Sequence, residues 1–215
     1  MPRSRLILVA TVVALVIGLA LFLSGHLTGS GARPLHATVL PEALPLPDFA
    51  LYDHHHEPFS RDSLRGRTSL LFFGFTHCPD ICPATLQQLA LARKQIAESG
   101  EPATSLPQII LISVDPERDT PEKLGQYVSA FGDGITGATG EPAVLRELTS
   151  ALGIFFEKEA SGGAGYTVSH STAVLVVDEE ARLRALFSAP HKTEFFVHDV
   201  PLLIDAVATT RPAAR

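Results

Sequence analysis

The sequence predicts an α/β domain built on a largely parallel sheet. Two continuous apolar runs, Leu70 to Phe75 and Ile109 to Val114, stand on either side of a helical pattern that opens at Pro83, and two further apolar runs near the C-terminus are joined by a short polar turn. Continuous rather than alternating apolar strands suit a sheet covered on both faces, and a helix between two such strands makes them parallel.

In chain order, Leu6 to Leu23 comes first, an uncharged apolar run interrupted only by Thr11 and Gly18. As a helix it spans roughly 27 Å, close to one hydrocarbon core, so residues 1–24 are expected to form an N-terminal transmembrane helix. A cleaved signal peptide is the competing reading, but its apolar region is usually shorter, about 7 to 15 residues. Arg3 and Arg5 precede the run and no acidic residue occurs before Glu42, which keeps the short N-terminus cytoplasmic and exports the remainder. The expected location is an inner membrane, with the soluble domain in the periplasm if the source is a Gram-negative bacterium. Residues 25–47, with glycines, prolines and two isolated histidines, read as a flexible tether, and residues 48–210 as one domain without internal repeats.

The whole chain holds 17 basic and 23 acidic residues, and setting aside Arg3 and Arg5 leaves 15 basic residues against the same 23. Such a domain is a poor partner for nucleic acid or an anionic membrane surface. No cysteine lies near the end of the apolar run, which excludes lipid attachment there.

Within the domain, Asp48 to Tyr52 alternates like a short strand. The helix from Pro83 runs to about Glu98 and stops at Ser99-Gly100. Thr120-Pro121-Glu122 starts a second helix, with a cap, a proline suited to the first turn and an acidic residue at the positive end of the dipole; it is expected to end near Phe131-Gly132. A third helix covers about Pro142 to Leu152 and leads through Gly153 to Ile154-Phe155-Phe156-Glu157 and a glycine-rich loop at 161–165. Thr172 to Asp178 and Arg182 to Ser188 read as an antiparallel hairpin, and Glu194 to Thr209 as a closing helix. This is the thioredoxin-like order of elements, extended at the N-terminus in the peroxiredoxin manner and carrying an insertion before the hairpin.

The only two cysteines, Cys78 and Cys82, lie four apart where the first apolar strand gives way to the first helix. At a helix start the unpaired N–H groups and the dipole favour thiolate, so both sulfurs are expected to ionise readily and to bind a soft metal or exchange disulfides. Three-residue spacing would indicate an ordinary redox pair; the extra residue leaves room for a metal. A third ligand must come from the nine histidines. His170 is chosen because, in a thioredoxin arrangement, the loop before the strand at Thr172 faces the cysteine turn, and no proline occurs from Ser161 to Ala189 to occupy it. Two thiolates and an imidazole suit three-coordinate Cu(I), or Cu(II) with an added water or carboxylate.

Other residues have plainer readings. His77 adjoins Cys78 but neighbouring strand-end residues point apart, so it is expected to support the site or to lie in the core. His54, His55 and His56 read as a solvated hairpin loop, with metal recruitment as the alternative. Asp80 would raise the thiol pKa values, and would serve as a weak extra ligand or face solvent. The segment 115–119 reads as a turn and helix cap.

Three motifs then carry a resemblance: residues 73–83 around the cysteines, Ser113 to Pro121, and Tyr166 to Ser171. In this order they resemble the Sco/SenC family of membrane-anchored copper proteins, over about Asp48 to Leu203. The resemblance implies a thioredoxin-like fold, copper held by Cys78, Cys82 and His170, and a role in assembling the binuclear copper centre of cytochrome c oxidase. The implied partners are the copper-site subunit of the oxidase and a thiol reductant, since an exported compartment favours the disulfide. The alternative is a thiol-disulfide oxidoreductase using the same Cys78 and Cys82 as a redox-active pair to reduce the cysteines of the acceptor site. A peroxiredoxin-type peroxidase is a third class, disfavoured because the proline and threonine arrangement of that family around its cysteine is missing from this sequence. The turn at 178–181 and the loop at 53–57 depart from the family pattern, which often has glycine there.

Overall fold

The computed structural model describes residues 13, 15, 17, 18, 33–161 and 165–209. The expected membrane span therefore lies outside the described residues except for four helical positions, and among the described residues no helix is long and apolar enough to cross a membrane. The chain from Pro34 onward forms one unit.

Its centre is the predicted pair of apolar strands. β4 (Ser69–Gly74) and β5 (Gln108–Ser113) run parallel, joined by α1 (Ile81–Glu98), with Phe72 opposite Leu111 and Gly74 opposite Ser113. Every residue of β4 is buried, as its unbroken apolar pattern requires. The full sheet has eight strands in the order β1-β10-β9-β4-β5-β6-β2-β3. In it, β1 is Thr38–Pro45, β2 Ala50–Asp53, β3 Pro58–Ser60, β6 Ile135–Thr139, β9 Val174–Val177 and β10 Arg182–Phe187. β4, β5 and β6 are parallel and the flanking pairs antiparallel. Three more helices complete this part: α2 (Pro121–Ser129), which packs on β6, α3 (Pro142–Ala151), and α4 (Thr193–Thr209), which packs on α1. Thr120 caps α2 by accepting the Lys123 N–H at 3.4 Å, with Pro121 in the first turn as predicted.

Three differences from the sequence expectations matter. First, the expected tether contributes strand β1, so the domain begins well before residue 48. A buried carboxylate explains its fixed entry: Asp199 on α4 accepts the backbone N–H groups of Leu35, His36 and Ala37 at 3.0, 2.7 and 2.7 Å. Second, β6 lies in the connection between α2 and α3, where no strand is predicted. Its small residues fit a close approach, since a β-carbon on Gly137 would stand 3.1 Å from Leu124. Third, the segment around His170 is a strand rather than a loop: β7 (Phe156–Ser161) and β8 (Gly165–His170) form a separate antiparallel ribbon, with Phe156 opposite His170.

The hairpin at Asp178 is as predicted, and Asp178 supplies the turn chemistry that glycine does not. Its carboxylate accepts the N–H groups of Glu180 and Arg182, and Ala181 takes the left-handed conformation at φ 59°.

Candidate metal centre

Cys78 and Cys82 lie where β4 ends and α1 begins. Asp80 occupies the cap position of α1 but its side chain makes no cap hydrogen bond. Instead the Cys82 N–H donates to the Cys78 sulfur at 3.4 Å, so a thiol group satisfies one of the free donors of the helix start. The space for Cys82 exists because residue 74 is glycine: a β-carbon there would fall 2.9 Å from the Cys82 sulfur. Both cysteines are buried and no disulfide joins them.

His170 arrives from the end of β8. Its Nδ1 lies 3.0 Å from the carbonyl of Ser171, which can only accept, so the proton sits on Nδ1 and the Nε2 lone pair faces inward. Nε2 is 3.3 Å from the Cys82 sulfur. Edges of Phe72 and Phe75 contact the imidazole, with centroids 6.0 and 5.8 Å away. The two sulfurs and a ring nitrogen lie within 4.8 Å of one another, the group of three such donors found among the described residues. The carbonyl that fixes the tautomer is the kind of outer partner that aims histidine ligands at metals.

The sequence predicts two easily ionised thiols; the structure divides them. Hydrogen bonding from Cys82 lowers the Cys78 pKa to about 4, against the opposing effect of burial and with further help from the backbone N–H groups of Asp80 and Cys82. The same contact, together with deeper burial, pushes the Cys82 thiol upward. One proton is therefore retained between the pair, on the inner sulfur. Asp80 is exposed, and its main effect is through that backbone N–H.

The segment read as a turn and cap does considerably more. Asp119 is fully buried and accepts from the Thr76 N–H at 2.9 Å, the Thr76 hydroxyl at 2.5 Å and the Ser113 hydroxyl at 2.6 Å, which fixes the turn leading to Cys78. Asp115, also fully buried, accepts from the Tyr166 hydroxyl at 2.6 Å and pairs with Arg118. Arg118 in turn donates to the Tyr166 carbonyl at 3.0 Å and lies over the Tyr166 ring. The ribbon bearing His170 is thus clasped to the segment that fixes the cysteine turn. The available signal in the sequence was two aspartates at the end of β5, beside the strand that leads to the cysteines.

His77 is half exposed, lies 3.7 Å from Asp119 through Nδ1, and stands apart from the donor group. It is therefore not a core residue. The three histidines of the β2–β3 turn also stand apart. His54 Nδ1 accepts the Gly137 N–H at 3.1 Å and His56 pairs with Glu122 at 2.8 Å, so the loop is tied to β6 and α2.

A thioredoxin-like sheet with two thiols and an imidazole converging at a helix start defines a class: small α/β domains with a soft-metal or redox centre. Similarity to known proteins narrows it. The SCO1/SenC family model matches residues 39–205. A putative copper-binding protein of Stutzerimonas stutzeri is 38% identical over 168 residues, 78% of this chain and 80% of the relative. Protein SCO1 homolog 1 of Arabidopsis thaliana mitochondria is 32% identical over 159 residues, covering 74% of this chain and 45% of that protein. Among solved structures, copper-bound yeast Sco1 superposes with a TM-score of 0.69 at 27% identity, over 79% of this chain and 92% of that one. Apo Sco1 of Thermus thermophilus gives 0.66 at 34% identity, over 82% and 99%. The chain belongs to the SCO1/SenC family.

Proposed function

We propose that this protein is a copper carrier that holds the ion with Cys78, Cys82 and His170 and delivers it to the copper-site subunit of cytochrome c oxidase. The observation that carries the reading is the inward Nε2 of His170, 3.3 Å from the Cys82 sulfur. A thiol redox enzyme has no need of that imidazole, whereas a soft ion has. Copper-bound relatives of the same fold support the choice of metal. Delivery would proceed by exchange of ligands, and a thiol reductant would keep the pair open for loading. Residues 1–24 would anchor the carrier in an inner membrane, with the domain on the exported side.

Copper titration of the reduced chain lacking residues 1–24 tests this. One ion is expected to bind tightly, with strong weakening by Cys78→Ser, Cys82→Ser or His170→Ala and little effect from replacing His54, His55 and His56 together. Loss of copper in the triple-histidine variant with retention in His170→Ala would overturn the ligand assignment.

A second reading has its own support. A thiol held near pKa 4 beside a protonated, buried partner is also the arrangement of a nucleophilic and a resolving cysteine. The same pair would then reduce the cysteines of the acceptor site. His170→Ala separates the two: it should lose oxidase assembly at low copper yet keep its reaction with a disulfide substrate.

A further inference from the structure

A groove of about 480 Å³ runs between α3 and β7, away from the sulfurs. Ile154 and Phe156 form its apolar lining, Phe155 stands 58% exposed at its rim, and Arg146 and Lys158 supply positive charge. A smaller hollow of about 80 Å³ continues it toward Pro116 and shares Arg146, Phe156 and Lys158. Lys158 is neutralised by Glu117 at 2.7 Å. Arg146 is exposed and has no carboxylate partner among the described residues. Glu157 also borders the groove but makes no ion pair with Arg146. The groove therefore pairs an uncompensated guanidinium with exposed aromatic surface.

Its place in the fold gives it a target. Phe156 is the cross-strand partner of His170, so the two side chains share one face of the ribbon. Phe155 is bonded to the next residue, with the Ser171 N–H donating to its carbonyl at 2.8 Å and its own N–H donating to the Ser171 hydroxyl at 3.0 Å. A chain lying along the groove would end at the strand end that carries His170.

We infer that this groove docks an extended segment of a partner protein that carries a carboxylate next to a large apolar side chain. The apolar group packs on Phe155 and Phe156 and the carboxylate pairs with Arg146, where the guanidinium fork and a partly dry floor favour a bidentate contact. That the partner is the one exchanging metal with His170 rests on the carrier reading; the docking chemistry does not.

The test uses the reduced full chain and a fluorescein-labelled peptide, GDLFDG, followed by anisotropy, with GNLFNG as its uncharged counterpart. Saturable binding of GDLFDG is expected, weakened about tenfold or more by Arg146→Glu, by Phe155→Ser and in GNLFNG. Copper titration of Arg146→Glu should match the wild type. Equal peptide binding by Arg146→Glu and wild type, or no saturable binding at all, overturns the inference. So does a dimer in sedimentation that Arg146→Glu dissociates, because the groove would then belong to a second copy. If peptide binding keeps its dependence on Arg146 while the wild type takes up no copper, the docking surface stands and the carrier reading falls.

Discussion

The cysteine turn and the His170 ribbon are fastened by the same five residues, 115–119, but by different kinds of grip. Asp119, its side chain fully buried, reaches the turn through three short hydrogen bonds from groups on the central strands and the loop between them. Asp115 reaches the ribbon through one tyrosine hydroxyl and an arginine, with Lys158 bridging to Glu117 at the surface. The thiols are therefore placed by the core, and the imidazole by a peripheral clasp. The sulfurs and the imidazole of one centre are held with unequal rigidity.

The largest expected effect falls on the core side. Asp119→Asn keeps the size of the side chain but replaces one acceptor with a donor facing Thr76 and Ser113, and is expected to cost about 2 to 4 kcal/mol in denaturant unfolding. A cost no greater than that of Tyr166→Phe would mean that core and clasp grip equally.

Gly74→Ala comes next. Its new methyl falls 2.9 Å from the Cys82 sulfur and 3.1 Å from Phe72, so the core must shift, at about 1 to 3 kcal/mol. Copper affinity should fall by more than about tenfold, because one donor moves while the ribbon stays clasped. Unchanged affinity in an equilibrium competition with a chelator would show that the sulfur has room the structure does not reveal.

The smallest effect belongs to the clasp. Tyr166→Phe removes one hydrogen bond to Asp115, about 1.5 kcal/mol, and should lower copper affinity only a few fold. It should leave the thiols alone, and iodoacetamide can check this. With its pKa lowered to about 4, Cys78 stays ionised as pH falls, so its alkylation rate should be nearly flat from about pH 5.5 to 8 in both wild type and variant. An ordinary thiol would lose about tenfold in thiolate per pH unit over that range. A steep profile in Tyr166→Phe alone would mean that the ribbon, and not the core, sets the thiol chemistry.

Much of this was legible in the sequence, and the gaps have physical causes. The apolar strands β4 and β5, the proline-started helices and the hairpin at Asp178 declare themselves through local pattern. β6 does not, since Gly137 and Ala138 have little strand preference of their own and owe their place to pairing with β5. β1 contains prolines and is mostly exposed, and only its pairing with β10 makes it a strand. The three donors were readable from spacing, element order and family resemblance. Their supports were not: Asp115 and Asp119 look like turn and cap residues until the fold buries them. The splitting of the two thiols was likewise beyond reach, because it depends on which sulfur lies deeper.

The β7–β8 ribbon also sets a clock. Two paired strands alone are marginal in water, and such a unit opens at a lower free energy than a central sheet. When it opens, His170 leaves and the sulfurs remain, so an ion held by all three would pass briefly to two. The residence time of that ion would then follow the opening frequency of a surface hairpin rather than the unfolding of the strands beneath it.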